Sequence, residues 1–146
     1  MLSDPKTKRI LVIDDDKVVC SFFRNFLALE GFQVAASLNG RQAVETLKSG
    51  SALPDLIVLD LMMPNYGGYE VLKELQQESF KNIPVLIVTA RAVDREMIDM
   101  IRSESNVGDF FSKPIQSKAF KSRIHEILGT TPPENPVRPA DFEWME

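Results

Sequence analysis

The chain has little cysteine or histidine and no long apolar segment. Its single cysteine, Cys20, excludes an internal disulfide, and a helical pattern around it predicts a buried structural thiol rather than a nucleophile. The longest apolar runs have the length of a strand, too short for a membrane-spanning helix. Four apolar residues follow the basic segment 1–9, too few for the core of a signal peptide. The sequence therefore predicts a cytoplasmic protein without a membrane span.

The chain also lacks an excess of positive charge. A net charge of -4 argues against a large basic surface, so direct DNA binding by this chain is not expected. The one histidine, His125, lies near Arg123 and Glu126 and is predicted to be solvated rather than a metal ligand or phosphate relay. With 146 residues, 44% of them hydrophobic, the chain fits one globular domain.

Strand and helix patterns alternate from residue 10 to residue 128. Unbroken runs of isoleucine, valine and leucine predict strands buried on both faces of a parallel sheet. Short connections then require right-handed crossovers, with helices on both faces. The pattern predicts an α/β fold, a doubly wound (βα)5 arrangement around a five-stranded parallel sheet. Periodicity leaves the strand order open; the flavodoxin-like order 2-1-3-4-5 would put strands one and three side by side.

Four of the predicted strands end in a reactive polar residue. Asp14 and Asp15 follow the first strand, Asp60 ends the third, Thr89 the fourth, and Lys113 follows the fifth. Because the carboxyl ends of parallel strands meet at one edge of a sheet, we expect these side chains to collect there. Open α/β sheets bind their ligands at that edge.

These residue types together predict phosphoryl transfer to aspartate. Three carboxylates in one crevice either share a proton or are bridged by a cation, and Mg²⁺ prefers such oxygen ligands. Asp60 is also a candidate nucleophile, since its attack on phosphorus gives an acyl phosphate. Lys113 would neutralise phosphate charge, and the hydroxyl of Thr89 would hydrogen-bond a phosphoryl oxygen. Taken singly, each residue fits a turn or a helix cap as well, so the prediction depends on the set.

The motifs at the strand ends resemble those of the receiver domain of two-component response regulators. They read ILVIDDD at 10–16, DLIVLDLMMP at 55–64, VTA at 88–90 and FSKP at 111–114. The resemblance covers residues 8–128. It implies that Asp60 accepts a phosphoryl group from a histidine kinase or a histidine phosphotransfer protein.

The resemblance also implies a metal site. Asp14 and Asp15 are expected to organise Mg²⁺, or Mn²⁺ in its place. Asp60 and the backbone carbonyl of Met62 would complete the protein ligands.

Further roles follow from the same resemblance. Thr89 and Lys113 are expected to contact the phosphoryl group. Phe110 occupies the switch position and would turn into the space that Thr89 leaves, changing the surface of helix four, strand five and helix five. Phe110 has no hydroxyl, so it cannot make the outward hydrogen bond of a tyrosine switch. Replacement of Phe110 by tyrosine should be tolerated. The Lys113–Pro114 bond is expected to be cis as in this family, although such bonds are usually trans.

Several positions depart from the family pattern, and two others are expected to affect the lifetime of the aspartyl phosphate. Gly67 stands where an aspartate usually caps the third helix, so a looser helix start is expected. Residues 106–109 replace a common Gly-Ala pair and bear on the surface around helix four and strand five. Met62 and Arg91 occupy positions that tune attack of water on the aspartyl phosphate. Neither side chain positions water, so we expect slow, unassisted loss of phosphate.

Residues 129–146 are predicted to be a proline-rich acidic tail or linker after a receiver domain at 8–128. Four prolines within 132–139 favour an extended conformation, and a docking motif at 142–145 is the other interpretation. This segment is too short for a DNA-binding fold, so we expect output through an unknown downstream protein. The surface of helix four, strand five and helix five is also a candidate for a weak homodimer. Both a single-domain regulator and a receiver from a longer kinase or regulator fit.

Other functional classes fit the sequence less well. An aspartate-nucleophile phosphohydrolase usually has a second aspartate two residues after the first, where this chain has Met62. A pseudo-receiver would keep the fold without phosphorylation, which the complete residue set disfavours. A nucleotide-binding flavodoxin-like protein would need a glycine-rich loop after strand one, where residues 14–16 are aspartates.

Overall fold

The structure, a computed structural model, describes residues 2–50, 52–63, 67–90, 95–104 and 106–133. A short 3-10 helix, Pro5–Thr7, comes first. The strands are β1 (Arg9–Ile13), β2 (Gln33–Ser37), β3 (Leu56–Asp60), β4 (Val85–Thr89) and β5 (Val107–Ser112). The helices are α1 (Lys17–Leu29), α2 (Gly40–Lys48), α3 (Gly68–Glu74), α4 (Arg95–Arg102) and α5 (Ser117–Leu128). None of the described helices has the length and apolar character needed to cross a membrane.

The described strands form one parallel sheet in the order β2-β1-β3-β4-β5. This order confirms the predicted fold and answers the question that periodicity left open. Ile13 of β1 pairs with Leu59 of β3, so the residues that end these two strands are neighbours. Every residue of β3 and β4 is buried, as their unbroken apolar sequences indicate.

Two apolar clusters, one on each face of the sheet, hold the helices. On one face α1 and α5 meet where the rings of Phe23 and Phe120 lie 5.5 Å apart. On the other face α2, α3 and α4 pack through Leu47, Leu72 and Ile101. Burying one such side chain stabilises the fold by about 1.5–3 kcal/mol. The clusters therefore fix the sheet and, with it, the positions of the strand ends.

Capping residues explain where the helices begin. The side chain of Asp16 accepts a hydrogen bond from Val18 N at 2.8 Å and caps α1, and Asn39 caps α2 in the same way. The N-cap of α3 is Gly67, which makes no side-chain hydrogen bond. The start of α3 therefore lacks the side-chain cap that an aspartate would supply, as expected from the sequence.

Strand β5 begins earlier than its apolar run predicts and contains a bulge. Val85 pairs with Val107, and the next residue of β4 pairs with Asp109, so Gly108 is an extra residue on β5. The segment that departs from the family pattern therefore becomes an irregular strand. It remains part of the sheet.

The prediction that His125 is solvated is wrong. The residue is 4% exposed, with Nδ1 2.7 Å from Oγ1 of Thr130 and Nε2 3.0 Å from Oε1 of Glu30. The ring of Phe32 lies 5.0 Å from the imidazole. A helical pattern could not reveal this position, because one partner lies 95 residues earlier and another beyond the end of α5. His125 joins the carboxyl ends of α1 and α5.

The N-terminal segment holds the chain where it leaves α5. Ser3 N donates to Gly129 O at 2.8 Å, and Thr131 N donates to Ser3 O at 3.0 Å. Ser3 and Thr130 thus form a parallel bridge. These contacts lie outside the predicted domain bounds of 8 and 128 on both sides. Residues 134–146 of the predicted tail lie outside the described residues.

Candidate functional site

The carboxyl ends of four strands carry the predicted site residues in one row. Asp14 follows β1, Asp60 ends β3, Thr89 ends β4 and Lys113 follows β5. These strands are consecutive neighbours in the sheet. Lys113 N donates to Thr89 O at 2.8 Å, which continues the pairing of β4 with β5 beyond its last residue. The structure therefore brings the predicted residues to the edge where such sheets bind ligands.

Asp14, Asp15 and Asp60 form an acidic cluster. Each offers a carboxylate oxygen, and these oxygens lie within 4.8 Å of one another. Asp14 and Asp60 are 1% and 5% exposed, whereas Asp15 is exposed. Lys113 Nζ lies 3.0 Å from Asp14 Oδ2 and 3.7 Å from Asp60 Oδ2. Lys113 by itself does not neutralise three carboxylates, so the cluster favours a further cation.

The environment raises the pKa of two groups in this cluster. Burial raises the pKa of Asp60 most, and the charges of Asp14 and Asp15 add to this effect. A hydrogen bond from Met62 N to Asp60 Oδ1, at 3.1 Å, and the charge of Lys113 act in the opposite direction. Burial lowers the pKa of Lys113, but the hydrogen bond to Asp14 and the surrounding carboxylates outweigh it, so that pKa is raised too. Lys113 is therefore held as an ammonium ion.

Thr89 carries a buried hydroxyl without a partner. The residue is 1% exposed, and its Oγ1 makes no hydrogen bond to any residue that the structure describes. A buried polar group left in this way costs about 1–3 kcal/mol, so it usually has a functional explanation. Val88, its neighbour on β4, pairs directly with Asp60. Thr89 therefore lies one residue beyond the position on β4 that pairs with Asp60, the candidate nucleophile.

Backbone and thiol contacts hold Asp14 in position. Its Oδ1 accepts a hydrogen bond from Asp16 N at 2.9 Å, and its backbone N donates to Ser37 O at 3.1 Å. Cys20 Sγ lies 3.2 Å from Asp14 O, to which it donates. Burial and the charge of Asp14 raise the pKa of Cys20 to about 11, so the thiol stays protonated and serves as a donor. The prediction of a buried structural cysteine is confirmed.

The acidic cluster fits a hard divalent cation. Its donors are all carboxylate oxygens, the ligands that Mg²⁺ and Mn²⁺ accept, and the buried pair gives it fixed geometry. Met62, whose backbone N donates to Asp60, is 51% exposed. Arg91, the other residue expected to tune the site, lies outside the described residues.

The predicted switch residue lies on the neighbouring strand. Phe110 of β5 is partly buried against the cluster that holds α4, and the guanidinium carbon of Arg102 lies 5.7 Å from the centre of its ring. Asp109 Oδ1 accepts a hydrogen bond from Phe110 N at 2.7 Å. The Lys113–Pro114 bond is cis.

Sequence reasoning missed two residues that support this site. The glycine pair at 67–68 indicates a turn, but the local sequence does not show that Gly68 packs against the backbone of Asp60. No local pattern connects Arg102 with Phe110. The pair of glycines at 67–68 was the available signal for the first. The contact between Arg102 and Phe110 depends on how α4 packs against β5.

Comparison with known proteins agrees with the fold. The family model of the response regulator receiver domain matches residues 10–125. The chain belongs to this family. As a receiver domain of two-component systems, it is a signalling domain.

Curated relatives of the receiver domain are longer proteins. This chain is 32% identical over 127 residues to the response regulator MprA of Mycolicibacterium vanbaalenii. The match covers 87% of this chain and 53% of that protein. This chain is 33% identical to the alkaline phosphatase synthesis transcriptional regulatory protein PhoP of Bacillus subtilis, covering 83% and 48%. The chain thus spans about half the length of these relatives.

A solved structure is similar over most of the receiver domain. A response regulator receiver protein from Burkholderia phymatum is 25% identical, with a TM-score of 0.74, and the match covers 86% of this chain and 98% of that one.

Proposed function

We propose that this receiver domain accepts a phosphoryl group on Asp60 from the phosphohistidine of a histidine kinase or histidine phosphotransfer protein. A carboxylate oxygen of Asp60 attacks phosphorus, and the bond between phosphorus and the donor imidazole nitrogen breaks. The imidazole keeps the electron pair of that bond and takes up a proton. The product is an aspartyl phosphate. The observation that carries the proposal is the row of Asp60, Thr89 and Lys113 on adjacent strand ends.

Each residue of the row has a defined part in the transfer. Thr89 donates a hydrogen bond to a phosphoryl oxygen from its hydroxyl, which is buried and has no partner in the part of the chain that the structure describes. Lys113 offsets charge on another phosphoryl oxygen, and it is already held at the site by Asp14. Mg²⁺ or Mn²⁺, held by the acidic cluster and the carbonyl of Met62, would supply the positive charge that lets an anionic phosphoryl group approach carboxylates.

Phosphorylation would change the surface formed by α4, β5 and α5. Thr89 turns toward the new phosphoryl group and leaves space for the ring of Phe110, which gives up its contact with Arg102. Moving such a switch from 1:99 to 99:1 requires about 5.5 kcal/mol of differential stabilisation. The changed surface then binds a downstream protein, and it would also serve a weak homodimer.

The remaining assignments complete the proposal. The receiver domain comprises residues 8–128 and works in the cytoplasm, with residues 129–146 as a tail or linker. It receives phosphate for signalling and is not an enzyme acting on a separate substrate. Output is through protein contact, without direct DNA binding by this chain.

Intact-protein mass spectrometry tests the proposal. Wild type is incubated with Mg²⁺ and phosphoramidate, a small phosphoryl donor, beside Asp60→Ala and Asp99→Asn. Asp99 is exposed on α4 and serves as the matched control. We expect one phosphoryl adduct in wild type and in the control, and none in Asp60→Ala or without Mg²⁺. A wild type that forms no adduct would contradict the proposal and favour a pseudo-receiver, and an adduct on Asp60→Ala would assign another acceptor.

A further inference from the structure

Gly68, the first residue of α3, approaches the backbone of Asp60 more closely than any other residue type could. A Cβ added to Gly68 would lie 2.2 Å from Asp60 O, 2.9 Å from Asp60 C and 2.5 Å from the Cα of Leu61. All three obstacles are backbone atoms, which cannot rotate away as a side chain could. A substitution at Gly68 must therefore displace either α3 or the end of β3.

Space, and not backbone conformation, requires glycine at this position. The described glycines with a positive φ are Gly31, Gly50 and Gly129. Gly68 is buried and helical, and its backbone N donates to Leu61 O at 3.2 Å. The absence of a side chain at Gly68 therefore allows close packing against the backbone of Asp60 and Leu61, and it is not needed for a turn.

We infer that Gly68 is a positioning residue for the phosphoryl acceptor, an inference that rests on the proposed function. Asp60 is fixed from two sides: Gly68 packs against its carbonyl, and Met62 N donates to its carboxylate. A displaced carbonyl shifts the carboxylate relative to Asp14 and Lys113, the groups that it faces in the cluster. An error of about 1 Å at a reacting group can cost about 100-fold in rate.

The adjacent glycine provides a matched control. A Cβ on Gly67 would meet Glu70 Oε2 at 3.0 Å and Met63 O at 3.4 Å. The first obstacle is the end of a flexible side chain and the second is near ordinary contact distance. Gly67 also has φ -79° and ψ 174°, which any residue adopts. Gly67→Ala therefore changes the same loop by the same group without moving Asp60.

Two measurements on the full chain separate positioning from general damage. The first is the rate of phosphorylation by phosphoramidate with Mg²⁺. The second is the affinity for Mn²⁺ alone, with free Mn²⁺ counted by electron paramagnetic resonance. Both are made where circular dichroism shows each variant fully folded. If Gly68→Ala does not fold, it and wild type are compared in trimethylamine N-oxide, which favours compact states.

We expect Gly68→Ala to lose about 10- to 100-fold in phosphorylation rate and to bind Mn²⁺ at least several-fold more weakly. Gly67→Ala should stay within about twofold of wild type in both measurements. Equal behaviour of the two variants, or wild-type affinity for Mn²⁺ in Gly68→Ala, would overturn the inference. If wild type takes no phosphoryl group, the proposed function fails, while the Mn²⁺ comparison still decides the role of Gly68.

Discussion

Asp60→Asn should stabilise the protein when no metal is present. Asparagine keeps the shape of the side chain and its acceptor for Met62 N, but it removes a buried charge. The raised pKa of Asp60 reports that the folded state disfavours this charge, chiefly through burial. A group with a raised carboxyl pKa destabilises the fold at pH values above that pKa. Removing it therefore raises the free energy of unfolding at neutral pH.

The size of the effect follows from the cluster geometry. With an effective dielectric constant of about 20, Asp14 within 4.8 Å repels Asp60 by about 3.5 kcal/mol, and Lys113 at 3.7 Å attracts it by about 4.5 kcal/mol. Asp15 is exposed, so water reduces its repulsion to about 1–2 kcal/mol. The charge terms nearly cancel, and the cost of burial remains. We expect a gain of about 1–2 kcal/mol, or roughly 3–8 °C in Tm.

Urea unfolding in the presence of EDTA measures this gain, with Asp99→Asn as an exposed control expected to change stability by less than about 0.5 kcal/mol. Added Mg²⁺ should stabilise wild type more than Asp60→Asn, because only wild type keeps the third carboxylate. The advantage of Asp60→Asn should shrink as pH falls toward the raised pKa of Asp60, where folded wild type takes up a proton. An Asp60→Asn protein less stable than wild type in EDTA, or an equal response to Mg²⁺, would refute the reasoning.

Three further predictions concern neighbouring features. Met62→Ala should change the rate of aspartyl phosphate hydrolysis little, because the exposed thioether cannot position water; a large fall, measured by loss of the mass adduct, would contradict this. Phe110→Tyr should be phosphorylated at the wild-type rate. Arg102→Ala removes a cation–π contact with the ring of Phe110 and should lower the free energy needed to turn that ring by roughly 0.5–1 kcal/mol. Side-chain NMR signals of Phe110, compared before and after phosphorylation, measure this change. His125→Phe should lower the free energy of unfolding by about 2–4 kcal/mol, because the buried carboxylate of Glu30 loses one partner. Thr130→Val should lower it by about 1 kcal/mol. A His125→Phe protein as stable as wild type in urea would show that the histidine is not structural.

The fold and the main site were predictable because both depend on short-range patterns. Unbroken apolar runs marked β1, β3 and β4, and the polar residue at each strand end needed only the parallel arrangement to meet the others. Strand order was the exception. Periodicity is the same in every order, and the family resemblance was needed to expect Asp14 beside Asp60.

The misses have a common physical cause, which is contact between different elements of the fold. His125 was predicted to be solvated from its helical neighbours, but Glu30 at the end of α1 and Thr130 beyond α5 bury it. Gly68 has the sequence surroundings of a turn residue, yet it packs against the carbonyl of Asp60. A propensity or a period describes only the residue's own element. Neither can report what that element packs against.

Two buried polar clusters among the described residues, one around His125 and one at the strand ends, differ in how well their groups are satisfied. Both nitrogens of His125 have partners, and Glu30 also lies 3.5 Å from Lys121, so that cluster needs no ligand and reads as structural. At the strand ends, Thr89 Oγ1 has no hydrogen-bond partner among the described residues, and Asp60 has a raised pKa. Native folds retain such unsatisfied groups where function requires them. The cluster at the strand ends is therefore the one that a cation and a phosphoryl group would complete.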